Sequence, residues 1–169
     1  DPACSVVFEA EPEEADVMTR PPRRPDAPLF GKRTVILSLL QGTSVLAILL
    51  LVYVISMKRG QSEVDSRALT FTTLIIANLG LIFVNRSWSR TVLATLRSPN
   101  TALWWVTGGA VIFLGLALYV PFLRHLFRFS VLHPFDILIC IVAGVVSVLW
   151  FEVMKAMSVR RGHVVTGKP

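Results

Sequence analysis

Four apolar blocks interrupt an otherwise polar chain, and each is about as long as a helix must be to cross a bilayer. The first, Thr34–Met57, runs about 24 residues without a charge. At about 1.5 Å per residue it spans a hydrocarbon core with some tilt. The second, Ala68–Val84, is shorter, about 17 residues, and stops at Asn85 and Arg86. The third, Thr101–Leu123, opens on Trp104 and Trp105 and closes near Tyr119, aromatics placed as at membrane–water interfaces. The fourth, Pro134–Met154, begins with a proline suited to a first helical turn and carries Trp150 near its other end. The pattern predicts an all-α membrane protein of four transmembrane helices. In the first helix Ser38 and Gly42, and Thr43 and Ala47, have the small-xxx-small spacing that admits a close neighbour.

Between the blocks the chain is polar. Residues 1–33 form a leader in which an acidic cluster (Glu9, Glu11, Glu13, Glu14, Asp16) precedes a basic, proline-rich one (Arg20 to Pro25). Five prolines from Pro12 to Pro28 exclude a long helix. An extended loop on the membrane surface is expected there. Residues 85–100 read as a basic loop, 124–133 as an amphipathic connector, and 155–169 as a frayed basic tail. The domain division is a loop over 1–33, a membrane region over 34–160 and a tail over 161–169. The chain opens on Asp1 with no basic n-region before an early apolar stretch, so no signal peptide is expected, and the start reads as internal to a longer chain.

Composition agrees: 53% of the 169 residues are hydrophobic and 17% charged, below the quarter or so usual in a soluble domain. The net charge of +6 would suggest nucleic acid in a soluble protein, but here the basic residues flank apolar blocks, so no nucleic-acid partner is expected. Their distribution orients the chain. Twelve lysines and arginines fall in the leader, the 85–100 loop and the tail, against five (Lys58, Arg59, Arg67, Arg124, Arg128) on the opposite side. The richer side is cytoplasmic, which places both termini in the cytoplasm of a multi-pass plasma (inner) membrane protein.

Little in the chain carries chemistry. There is no phosphate-binding glycine loop, no nucleophile beside a base, and no cysteine–histidine cluster; Cys4 and Cys140 are not expected to pair. His125 and His133 read as interfacial side chains rather than ligands. Asn78, inside the second block, has two readings: contact with another helix, worth on the order of 1 kcal/mol, or coordination of an ion or proton. Gln41 has the same two, with helix contact favoured. Glu152 is expected to pair with Lys155 one turn on, and Asp136 to sit favourably at a helix N-terminus. No catalytic residue and no bound cofactor are assigned.

The leader "DPACSVVFEAEPEEADVMTRPPR" closely resembles the loop after the sixth membrane helix of cation-transporting P-type ATPases. The matching residues are Asp1, Pro2-Ala3, Val6–Phe8, Glu11-Pro12, Asp16, Met18 and Arg20-Pro21-Pro22-Arg23. "NRSWSR" at Asn85–Arg90, "LYVPFLRHLF" at Leu118–Phe127 and "WFEVMK" at Trp150–Lys155 resemble the family's eighth-to-ninth turn, ninth-helix exit and tenth-helix end. The likeness covers the chain to about residue 160 and is closest to bacterial members of the calcium-pump-like branch. It implies that the four blocks are the seventh to tenth helices of a pump driven by ATP and Mg through an aspartyl phosphate, whose phosphorylated Asp-Lys-Thr-Gly and cytoplasmic domains are not in this sequence. It further implies that Asp1 ligates the transported cation, and that Glu11, Asp16, Arg20 and Arg23 belong to a loop coupling phosphorylation to the helices; a solvated loop held to anionic lipid is the other reading of those charges. In calcium pumps the eighth helix adds a carboxylate ligand. No acid stands there here, and Asn78 is the nearest polar residue.

Three functions are compatible with these observations: the carboxy-terminal membrane portion of such a pump, a stand-alone scaffold or regulatory subunit derived from one, and an unrelated small transporter. The last is disfavoured by the lack of an inverted repeat and of a charge at mid-membrane. The expected partners are the bilayer, the remaining domains of the pump and the transported cation.

Overall fold

A computed structural model describes residues 2–10, 32–85 and 100–165. Its helices are α1 (Pro2–Glu9), α2 (Lys32–Lys58), α3 (Glu63–Asn85), α4 (Thr101–Tyr119), α5 (Pro121–Phe127) and α6 (Pro134–Val165). The four long ones, α2, α3, α4 and α6, coincide with the four apolar blocks, and each is long and apolar enough to cross a membrane. The protein is a multi-pass, all-α membrane protein.

The ends of the elements depart from the block boundaries for identifiable reasons. The leader was expected to be extended, yet Pro2–Glu9 is helical. The helix-breaking prolines begin only at Pro12, and Pro2 occupies the first helical position, where its missing N–H costs nothing. So short a helix is marginal alone. It is held by packing: Val7 is fully buried against Ile82 of α3 and Leu103 of α4. Helix α3 starts five residues before Ala68, because Ser62 and Asp65 cap it reciprocally. The Ser62 hydroxyl accepts from the Asp65 N–H at 3.2 Å, and the Asp65 carboxylate accepts from the Ser62 N–H at 3.1 Å. Helix α4 stops at Tyr119 rather than Leu123. Val120 is extended (φ −79°, ψ 119°) ahead of Pro121, as the residue before a proline prefers, and the chain restarts as α5. The tail expected to fray continues as helix to Val165.

The tight turn between α2 and α3 is made by Gly60, at φ +77°, with its N–H donating to the Met57 carbonyl and that of Gln61 to Ser56. α2 and α3 run antiparallel. Ser56 meets Ser66 at 2.7 Å at one end of the pair, and Asn85 donates to Gln41 at 3.3 Å at the other. α6 runs parallel to α3. The Cys140 thiol lies 3.4 Å from the Leu69 carbonyl, and further along Gly144 faces Ile76 and Ala77, then Val148 faces Gly80. This is the tightest helix contact: a Cβ placed on Gly144 would fall 2.6 Å from Ile76 Cγ2 and 3.2 Å from the Ala77 backbone nitrogen. The small-residue spacing predicted to draw a neighbour onto α2 does not do so. Ser38, Gly42, Thr43 and Ala47 are all exposed, and a Cβ on Gly42 would meet nothing within 4 Å. Small residues permit close approach but do not select the partner.

Candidate functional site

Polar groups inside a bilayer must find partners, because no water competes for them. Some bond within their own helix, as Thr73 does to the Leu69 carbonyl, and others join helices. Where α2 meets α6, the Trp150 indole N–H donates to the Ser44 hydroxyl at 2.9 Å. That hydroxyl lies 2.8 Å from the Gln41 carbonyl and 3.2 Å from the Ser147 carbonyl. Gln41 is buried, its amide oxygen receives Asn85, and its Nε2 has no hydrogen-bond partner among the described residues. Gln41 therefore joins helices, the favoured reading of its carboxamide.

Asn78 behaves differently. It is exposed, and no hydrogen bond joins it to another described residue, although Ala77 beside it is fully buried against α6. These four helices do not use it as a contact. Ile82, one turn further along the same stripe of α3, is buried under Val7 of α1. The same stripe thus carries α1 over Ile82 and an uncovered carboxamide over the preceding turn. A bare carboxamide at that depth is costly against lipid, so this face is built to meet more protein or a polar ligand.

The position of α1 rests on Asn100, the last residue of the basic 85–100 loop. Asn100 is buried, and its carboxamide is used from both ends. Its Oδ1 accepts the Leu103 N–H at 3.0 Å, capping α4, while its Nδ2 donates to the Val7 carbonyl of α1 at 3.0 Å. An Asn just before an apolar block is a readable cap signal; its second bond, 93 residues back along the chain, is not.

Of the other predicted residues, Asp1 and the charges Glu11, Asp16, Arg20 and Arg23 lie outside the described residues, and so does the Lys155 side chain expected to pair with Glu152. His125 and His133 are both exposed, and among the described residues no group of three histidine, cysteine or acidic side chains could hold a metal. Asp136 stands in the first turn of α6, where its carboxylate accepts the His133 N–H at 3.2 Å.

Comparison with known proteins matches residues 1–157 to the family described as "Cation transporting ATPase, C-terminus". A protein from Schizosaccharomyces pombe named "Calcium-transporting ATPase 1" is 26% identical over 167 residues, covering 99% of this chain and 18% of that protein. The chain thus spans less than a fifth of the length of the relative it matches.

Proposed function

The chain belongs to the cation transporting ATPase C-terminus family, and from that premise we propose that it forms the carboxy-terminal membrane portion of an ATP-driven cation pump and supports its ion-translocating helices. The observation that carries this reading is the stripe of α3 bearing Asn78 and Ile82, polar and uncovered at one turn and occupied by α1 at the next. In this reading a transport helix leads into α1 along that stripe, and Asp1 and Asn78 serve the cation. A carboxylate and a carboxamide suit a hard cation such as calcium, which the relative's name also suggests. The cation is then substrate. ATP and Mg belong to domains outside this sequence, since the chain holds no phosphate-binding loop.

The leader lies on the cytoplasmic side of the plasma membrane in this reading, together with the tail, in keeping with the twelve basic residues on that side. Its charges Glu11, Asp16, Arg20 and Arg23 face the cytoplasmic domains and relay their movement to the helices.

The test is cation-dependent phosphorylation from ATP in the full-length protein. Asp1→Asn abolishes it, and Asn78→Ala reduces apparent cation affinity several-fold while expression and thermal stability hold. Wild-type cation affinity in Asp1→Asn would remove that residue from the site. An Asn78→Ala effect confined to folded yield would make Asn78 a helix contact with the rest of the pump.

A further inference from the structure

A mouth of mixed polar and apolar side chains and an apolar groove lie end to end between α2 and α6. The mouth, about 180 Å3, is lined by Ser56, Arg59, Gln61 and Asp136 above Val52 and Ile55. The groove, about 430 Å3, is lined by aliphatic side chains alone, including Leu51, Leu138 and Val142. Val52, Ile55 and Ile139 line both, so the two form one slot. The groove volume is within the roughly 300–1,000 Å3 of sites that hold small organic ligands. Nothing among the described residues fills it: Leu51 is 56% exposed, and Leu138 and Val142 are each 54% exposed.

The mouth lies at the end of the apolar Val35–Lys58 span of α2, beside the turn to α3, the part of such a span that meets headgroups. It holds one cation and one anion, and Arg59 and Asp136 are not ion-paired with each other among the described residues. Asp136 is fixed by its bond to the His133 N–H in the first turn of α6. The slot therefore offers a positive group, a negative group and neutral hydrogen-bonding side chains at the interface, with a purely aliphatic trough below.

An amphiphile bearing a phosphate, an ammonium and a hydrocarbon chain complements every part of it. We infer that the slot between α2 and α6 binds one phospholipid of the phosphatidylethanolamine type, with the phosphate at Arg59, the ammonium at Asp136 and an acyl chain in the groove. Phosphatidylglycerol carries the same phosphate but a neutral glycerol in place of the ammonium, and so offers no cation to Asp136. A trimethylated headgroup has no N–H to give the carboxylate, whereas a primary ammonium makes a charge-assisted hydrogen bond to it.

The test is native mass spectrometry of the delipidated full-length protein, titrated with synthetic phosphatidylethanolamine, phosphatidylglycerol or phosphatidylcholine of identical acyl chains. One phosphatidylethanolamine is retained about tenfold more tightly than phosphatidylglycerol, a ratio within reach of one charge-assisted hydrogen bond. Asp136→Asn keeps an acceptor for the His133 N–H and brings that ratio to about one. Ala143→Leu, within the groove, lowers retention of all three lipids and leaves the ratio unchanged. Equal retention of the three lipids by the wild type, or a ratio that Asp136→Asn does not move, overturns the inference. So does a photo-crosslink from position 142 to a stoichiometric membrane polypeptide with no lipid retained.

Discussion

Helices α3 and α4 sit side by side and are built on opposite plans. α4 (Thr101–Tyr119) has no charged residue, yet only Leu103, Ala117 and Leu118 are buried, while Trp104, Trp105 and Ile112 are 62%, 78% and 65% exposed. α3 begins with Glu63, Asp65 and Arg67 and carries several hydroxyls, yet it holds the bundle together, burying Ser66, Ala68, Thr72, Thr73 and Ala77 along its length. The more apolar helix is the less buried one. In water this would be a paradox. In lipid it is expected, because hydrocarbon solvates leucine as well as another helix does, and association is left to close packing and hydrogen bonds. Small and hydroxyl-bearing residues therefore pack inside this protein beside large apolar ones such as Leu69, Ile82 and Leu118, while Val111, Ile112 and Leu116 of α4 stay exposed.

The largest expected effect tests close packing. Gly144→Val drives a branched side chain into Ile76 and the Ala77 backbone and should cost about 1–3 kcal/mol in unfolding measured by steric trapping in bicelles. Gly115→Val on α4, where a Cβ would meet nothing within 4 Å, should stay within about 0.5 kcal/mol. Similar losses at both positions would show that α4 is as tightly packed as α3. Next in size is the link that fastens α4 and α1. Asn100→Ala removes a cap and an interhelical bond together and should cost about 1–2 kcal/mol, with faster hydrogen exchange confined to α1 and the first turn of α4. The smallest concerns the polar contact of α2 with α6. Ser44→Ala combined with Trp150→Phe in a double-mutant cycle should give a coupling of about 0.6 kcal/mol, appreciably below the Gly144 effect.

Some boundaries were legible in local chemistry and some were not. Pro121 ends α4 by restricting Val120, a signal already present in the third block, although the span had been carried through to Leu123. The Ser62–Asp65 cap likewise explains why the second block, with an apolar run of about 17 residues, is a helix of 23 residues. In contrast, the small-residue spacing around Gly42 and the glycines at Gly80 and Gly144 look alike in sequence, but only the latter two sit in a helix contact among the described residues. Asn78 and Gln41 are a similar pair: two carboxamides in apolar blocks, one exposed and one buried.

The sequence by itself determined the number of membrane helices and where their apolar segments lie. These depend on the transfer of whole segments between water and hydrocarbon, a sum over some twenty residues that no single contact can reverse. Only the tertiary structure decided which face of each helix is inside, that α1 forms and lies over Ile82, that Asn100 ties it to α4, and that a charged mouth opens above an aliphatic groove between α2 and α6. Those outcomes turn on differences of about a kilocalorie per mole between alternative packings of equally apolar surfaces, and such differences arise only when particular side chains are brought together in space.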